Sequence, residues 1–370
     1  MTRDTAARPA FGAATGRNIG RSINIGLGTT PTGKTEKVAR SEAYTTLWYG
    51  NVSAPEFTGL QVLLHSLRQH DTRRPFVLQR FDEAEAQPPQ IRNLCRTYGA
   101  TVVRVPRIQT RNERCLSSLG TWMQHTRSNA TYGTSTASPS VVPLGMRSIF
   151  SVFNVWRLVQ FERVVWLEAD QLIVKPLDSL WALELPPGAV GAAASVLDRI
   201  RGMCQIFDPF APKAGRMGNP PRSAVHREFF NAIGYPGATP QAAGRARKYN
   251  TGVLVLQPNA TVMQALLAAV ASPTPYSCTD GFQTLWNKIL ARRIRCLHHT
   301  FNCIDVRMET ILGKPRKTFS RRCLGPNESV PHILHFAAAA KPWATSNAER
   351  RNVAFNLWRP QLQDARAHTG

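Results

Sequence analysis

From Ala43 onward the chain alternates between short apolar runs and stretches with a helical spacing of apolar positions. Tyr44–Tyr49 reads as a buried strand and Leu60–Arg68 as a helix. Pro75–Gln79 is a second strand, Glu83–Tyr98 a helix, and Ala100–Val105 a third strand. Met146–Gln160 predicts a helix that leads into the apolar strand Arg163–Leu167. Further strands are expected at Ala189–Ala194, Gly252–Leu256 and Ile333–Phe336, and helices at Val262–Val270 and Phe282–Leu290. Strands alternating with helices imply right-handed βαβ units, so the expected fold is α/β with a mostly parallel central sheet flanked by helices.

Three stretches fall outside this rhythm. Residues 1–40 are rich in Gly, Thr, Ala and Arg, carry only Asp4 and Glu36 as acids and show no hydrophobic period. They read as a disordered basic tail ahead of a single domain over 41–370. Residues 109–143, rich in Ser, Thr and Asn, and 201–248, rich in Gly, Pro and Arg, read as insertions or long loops.

Composition narrows the class. Hydrophobic residues make up 43% of 370, enough for a sizeable core. The formal net charge of +23 favours something acidic as partner; solvated, Arg-rich faces account for it as well. No aromatic-interleaved basic motif is present, so nucleic acid is not expected. Seven cysteines (95, 115, 204, 278, 296, 303 and 323) are dispersed with no C-x-x-C pair, and are expected to be reduced, buried thiols. No apolar run is long enough for a transmembrane helix, and the N-terminus has no apolar signal core. A cytoplasmic or otherwise reducing compartment is therefore expected. The N-x-[ST] sequons at Asn51, Asn129, Asn259 and Asn327 are read as chance occurrences.

The chemistry concentrates in Arg163-Val-Val-Trp-Leu-Glu168-Ala-Asp170, an apolar strand ending in two carboxylates. Sites in open α/β sheets lie at the carboxyl ends of strands. Two carboxylates there suit a hard divalent cation such as Mn²⁺ or Mg²⁺, which in turn binds a diphosphate. A solvated acidic turn is the plainer alternative. His335, at the end of an apolar strand, can complete such a coordination set, and Lys341 is a point charge suited to phosphate. Taken singly, each also fits a core histidine and a surface lysine.

Four phrases, in order, carry a family resemblance. They are Thr46-Leu47-Trp-Tyr49-Gly-Asn51; Phe153-Asn-Val-Trp156 running on through Glu168-Ala-Asp170; Tyr249-Asn250-Thr-Gly252-Val; and His335-Phe-Ala-Ala-Ala-Ala-Lys341-Pro-Trp343. Over roughly residues 44–343 the chain resembles the family 8 glycosyltransferases, the glycogenin-like enzymes. The resemblance implies a GT-A type fold for binding nucleotide-diphospho-sugars. It implies a retaining, metal-dependent transfer of a hexose from a UDP-sugar to a hydroxyl acceptor. Mn²⁺ (or Mg²⁺) would be held by Glu168, Asp170 and His335. Leu47, Tyr49, Asn51, Asn250, Gly252 and Lys341, with the two carboxylates, would bind the donor. Asp170, Lys341 and Asp198 are the implied catalytic residues. Asp280 and Gln283, in Cys278-Thr-Asp280-Gly-Phe-Gln283, would face the acceptor.

Departures from the family pattern keep a second reading open. The first acidic position is Glu168 rather than Asp, and the glycine of the last phrase is Ala338. The family's donor-contacting lysine aligns with Val152, and no Lys or Arg occupies 148, 149, 155 or 156. A nucleotide-sugar-binding pseudoenzyme of the same fold is the alternative.

Overall fold

The computed structural model describes residues 41–50, 52, 56–82, 87–128, 148–194, 249–274, 276–278, 282–290, 293–304, 331–337, 341–343 and 353–369. The chain divides into the units Met1–Ala39 and Arg40–Gly370. The first unit, the expected tail, lies outside the described residues, as does the expected insertion at 201–248.

The second unit is built on a sheet of strands β1 (Glu42–Leu47), β2 (Phe76–Phe81), β3 (Ala100–Val105), β4 (Arg163–Leu167), β6 (Val190–Ala194), β7 (Tyr249–Leu256) and β8 (Ile294–Leu297). A short strand, β5 (Gln171–Ile173), follows β4, and it pairs with β9 (Ile333–His335) in a separate two-stranded sheet. The large sheet runs β3-β2-β1-β4-β7-β6-β8. β1 pairs in parallel with β2 and β4, β2 with β3, and β6 with β8; only β7 runs against its neighbours. The helices are α1 (Glu56–His70), α2 (Pro89–Tyr98), α3 (Glu113–Ser128), α4 (Asp178–Trp181), α5 (Ala260–Val270), α6 (Phe282–Leu290) and α7 (Val353–Thr369), with a 3₁₀ segment at Ile149–Arg157.

Over β1, β2, β4 and β7 both faces of the sheet are buried, which explains why these strands read as continuous apolar runs instead of alternating ones. Successive residues split between two cores. Val164 and Trp166 of β4 join Leu254 and Leu256 of β7 and the 3₁₀ segment, α5 and α6 on one face. Val165, Leu167, Val253 and Val255 join α1 and α2 on the other. A smaller cluster of Val62, Leu172, Leu334, Phe336 and Trp358 lies under the small sheet.

Several expectations need correction. The stretch 109–143 contains helix α3, whose Cys115 and Leu119 are buried one turn apart; the polar residues around them hid the stripe. The helix expected over Met146–Gln160 is a 3₁₀ segment. The Asn154 side chain donates to the Ser151 carbonyl at 2.9 Å and to that of Pro106 at 2.9 Å, and such side-chain bonds to backbone compete with an α-helix. Helix α2 starts at Pro89, not at Glu83, because proline is favoured at a first helical position; it ends at Gly99, whose φ of 61° suits glycine. Strands β5 and β8 and helices α4 and α7 were not expected; Pro360 inside α7 reads as a break.

The cysteines are also corrected. Cys115 and Cys278 form a disulfide, tying the first turn of α3 to the segment before α6, and Cys303 is disulfide-bonded as well. Cys95 is a free, buried thiol. Dispersed spacing could not show that the fold brings Cys115 and Cys278 together across 163 residues. Among the described residues no helix is long and apolar enough to cross a membrane.

Candidate active site

The turn after β4 is held from three sides. The Glu168 backbone N–H donates to the Gly252 carbonyl at 3.0 Å, and the Gln171 side chain donates to the same carbonyl at 2.8 Å, so β7 fixes both ends of the turn. The Phe336 N–H donates to the Asp170 carbonyl at 3.0 Å. β5 then pairs antiparallel with β9, setting His335 opposite Gln171. From the third side α1 offers Gly59, where an added Cβ would stand 2.6 Å from the Ala169 carbonyl oxygen and 2.6 Å from the Trp343 ring. Trp343 in turn lies 6.1 Å from Trp358 of α7.

This scaffold converges Glu168, Asp170 and His335. One ligand atom from each lies within 4.8 Å of the other two. His335 Nε2 is 3.0 Å from Glu168 Oε2 and 3.3 Å from Asp170 Oδ1. Yet Nε2 and Oδ1 are buried without a hydrogen bond of proper geometry. Buried polar atoms are normally paired, so ligand atoms that converge here without well-formed bonds fit a cation. One imidazole nitrogen and two carboxylates also suit Mn²⁺ or Mg²⁺ chemically. Gly252 makes the approach possible, since a Cβ there would stand 2.4 Å from His335 Cε1.

The charges are mutually adjusted. Burial by itself would lower the His335 imidazole, but Asp170 and Glu168 outweigh it and push the group up to about 9. Burial would raise the Asp170 carboxyl; the charges of Lys341 and His335 outweigh that and hold it well below the usual carboxylate range. The Lys341 ammonium donates to Asp170 Oδ2 and to the Phe336 carbonyl, the latter at 2.8 Å.

Behind the histidine, Nδ1 lies 2.8 Å from Asn302 Oδ1, and Asn302 Nδ2 donates to Asn250 Oδ1 at 2.7 Å. Asn250 Oδ1 also accepts from the Gly252 N–H at 2.8 Å. Two amides one turn apart on α6 clamp the start of β7. Gln283 Oε1 accepts from the Thr251 N–H at 3.0 Å, and Asn287 bonds both the N–H and the carbonyl of Tyr249.

Among the other predicted residues, Tyr49 lies near enough to the carboxylates for the charges of Glu168 and Asp170 to act on its hydroxyl. Leu47 is buried at the end of β1, while the Tyr49 ring is exposed and stacks on Phe81 with centroids 6.1 Å apart. Asn51, Asp198, Asp280 and Ala338 lie outside the described residues. Val152 is buried in the core beside the 3₁₀ segment's other apolar residues, so the position aligned with the family's lysine points away from solvent. Sequence reasoning missed Asn302, Gln171 and Gly59. Of these, Gly59 carried a signal, a glycine inside a strongly helical stretch.

Solved structures to which the chain shows similarity include the glycosyltransferase GlyE of Streptococcus pneumoniae TIGR4, at 15% identity and TM-score 0.47, covering 89% of this chain and 64% of that one. Another is galactosyltransferase LgtC in complex with donor and acceptor sugar analogs, at 12% identity and TM-score 0.48, covering 87% of this chain and 95% of that one. A third is the bifunctional glycosyltransferase WbbM, at 13% identity and TM-score 0.49, covering 90% of this chain and 53% of that one. No curated protein matches the chain. The architecture is α/β, a mostly parallel sheet with one opposed strand and flanking helices. The profile of Glycosyl transferase family 8 matches residues 58–347, a span that starts in α1, passes through the carboxylate turn and ends beyond Trp343; the chain belongs to that family of glycosyltransferases.

Proposed function

We propose that the protein transfers a hexose from a UDP-sugar to a hydroxyl acceptor with retention of anomeric configuration, and that the transfer depends on a divalent cation. The observation that carries this reading is the convergence of Glu168, Asp170 and His335 at the carboxyl end of β4, with ligand atoms within 4.8 Å of one another. These three residues would hold Mn²⁺ or Mg²⁺, and the bound ion supplies Lewis-acid stabilisation of the charge that develops on the leaving diphosphate.

The chain's own groups supply the rest. Lys341, paired with Asp170 in this structure, would turn to the diphosphate once the carboxylate is otherwise neutralised, adding a second positive charge on the leaving group. Asn250 Oδ1 is taken by two donors, so its Nδ2 is the group left to the donor sugar. The exposed Tyr49 ring, backed by Phe81, would offer a flat face to the nucleotide base. Asp198 would contact the donor sugar, and Asp280 and Gln283 the acceptor. No protein nucleophile is assigned. The test is a panel of UDP-sugars with Mn²⁺ and simple hydroxyl acceptors, read as released UDP. Chelation is expected to abolish release from the preferred donor; equal release with and without chelator sinks the metal role.

One observation favours the alternative of a nucleotide-sugar-binding pseudoenzyme: Val152, at the position of the family's lysine, is 3% exposed, so this position brings no cation to the donor. UDP binding without release from any donor in the panel would establish it.

A further inference from the structure

The two nitrogens of His335 face different partners. Nε2 faces the carboxylates of Glu168 and Asp170. Nδ1 faces Asn302, which is 2% exposed. In a neutral imidazole only one nitrogen carries a proton, and the other offers the lone pair a metal needs. Which one does so is decided by the chain of amides behind Nδ1.

Each amide in that chain has an oxygen and a nitrogen of nearly the same shape, so orientation follows from the bonds it must make. One end of the chain cannot turn. The Gly252 N–H is a backbone donor, and the Asn250 atom 2.8 Å away must therefore be oxygen. That oxygen lies 2.7 Å from the end of Asn302, which must present its NH₂ there. Asn302 then turns its oxygen to His335 at 2.8 Å, and only an Nδ1–H can meet it. With the proton on Nδ1, the lone pair of the neutral ring sits on Nε2.

The backbone holds this arrangement in place. The Cys303 N–H donates to the Ile333 carbonyl at 3.0 Å and the His335 N–H donates to the Cys303 carbonyl at 2.9 Å, so the segment carrying Asn302 is bonded to β9 through one parallel bridge, Cys303 to Leu334. Ligating histidines commonly hand their second N–H to a carboxylate. Here a neutral amide takes that place, so no third negative charge is added to Glu168 and Asp170.

We propose that Asn302 is a positioning residue: through Asn250 and Asn302 the backbone N–H of Gly252 fixes the His335 tautomer that presents Nε2 to a divalent cation shared with Glu168 and Asp170. This rests on reading the three residues as a cation site.

The test titrates the full chain with Mn²⁺ and compares wild type, Asn302→Leu and Asn302→Asp, with melting curves for each. Asn302→Leu removes the acceptor at Nδ1 and is expected to weaken Mn²⁺ binding by roughly ten- to a hundred-fold. Asn302→Asp keeps an acceptor there and is expected to retain Mn²⁺ affinity. Wild-type affinity in the leucine variant overturns the proposal, and so does an equal loss in both variants, which reports a packing role. If the wild type binds no Mn²⁺, the cation reading fails and the proposal falls with it; the first two outcomes leave that reading standing. Should the variants not fold, nitrogen NMR of ¹⁵N-histidine wild type loaded with diamagnetic Zn²⁺ decides. A proton on His335 Nδ1 with Nε2 ligated supports the proposal, and ligation through Nδ1 overturns it.

Discussion

Two buried polar clusters sit at opposite ends of the parallel strands, and they differ in how completely their atoms are paired. At the amino end, Asp71 accepts from Tyr44 Oη at 3.1 Å, from Arg74 Nη1 at 2.6 Å and from the Arg73 N–H at 3.0 Å. Tyr44 Oη itself accepts from Trp181 Nε1 at 3.1 Å, and Arg74 also reaches Glu42 at 2.7 Å while its guanidinium lies over the Trp181 ring. At the carboxyl end, Asp170 Oδ1 and His335 Nε2 are equally buried but lack well-formed hydrogen bonds. A network with all its members satisfied rigidifies a fold; one with atoms left over is a place for something else to bind. The first cluster is thus read as architecture and the second as site.

The largest loss is expected from a charge placed in neither cluster. Val152 lies in the apolar core, so Val152→Lys buries an ammonium with no partner, at a cost of several kcal/mol after relaxation. Denaturant unfolding checks this. A stable variant with tighter UDP-sugar binding would mean that the 3₁₀ segment faces the donor after all.

Next comes the amino-end cluster itself. Asp71→Ala removes the acceptor shared by Tyr44, the Arg73 N–H and Arg74, which keeps Glu42, and at about 1–3 kcal/mol for each donor left without it is expected to cost several kcal/mol of stability. Its effect on Mn²⁺ affinity should be nil in the folded fraction. The cluster also has a pH signature. Burial would raise the Asp71 carboxyl, but hydrogen bonds from the Arg74 side chain and the Arg73 and Arg74 amides outweigh it and hold the group below its ordinary value. A depressed carboxylate stabilises the fold above its unfolded value, near pH 3.9, and that contribution fades as pH falls through the lower folded value. Asp71→Asn should therefore flatten the acid limb of the stability profile; an unchanged limb would show that other carboxylates govern it.

A smaller or similar loss is expected from Cys115→Ser with Cys278→Ser, which removes a covalent tie across 163 residues. Loss of such a bond typically costs about 2–5 kcal/mol. The same shift should follow reduction of the wild type with a thiol, and no shift in either experiment would mean the bond is absent in solution.

How far these features could be read in advance follows from the range of the contacts behind them. Ala100–Val105, Arg163–Leu167 and Phe282–Leu290 are legible to the residue, because a short apolar, β-branched run or an amphipathic helix is written in the local sequence. The carboxylates Glu168 and Asp170 were legible for the same reason, sitting where an apolar strand stops. The pairing of β5 with β9 was not, since three-residue strands carry no period and meet across more than a hundred and fifty positions of sequence. Asn302 was invisible on its own, as a single asparagine in a stretch of no regular pattern. Its meaning comes only from the atoms that face it. The Cys115–Cys278 bond is the same kind of fact, a long-range meeting that spacing cannot announce.

The finest comparison lies within the carboxyl-end cluster, between its two acids. Asp170 is the more enclosed, with its side chain 14% exposed, and it meets both His335 and Lys341. Glu168 is 29% exposed and, among the described residues, pairs with His335. Asp170→Asn removes the charge that both cations answer, and its Mn²⁺ affinity should fall by well over ten-fold, which is more than about 1.4 kcal/mol. Glu168→Asp keeps the charge and withdraws it by one methylene. The backbone cannot follow to compensate, because the Glu168 N–H is tied to the Gly252 carbonyl. The carboxylate must reach across the gap by rotation or through a water, and a water-mediated contact is nearly as good enthalpically as a direct one. The expected loss in Mn²⁺ affinity is therefore less than about ten-fold, with the melting temperature unmoved. Calorimetric titration of both variants orders them. If Glu168→Asp proves as damaging as Asp170→Asn, the longer side chain is a requirement of this backbone, and the departure from the family's acid is matched by the turn that carries it. If it binds Mn²⁺ more tightly than wild type, Glu168 holds the cation off its best position, and the pseudoenzyme reading loses ground to that of an enzyme slowed at one ligand.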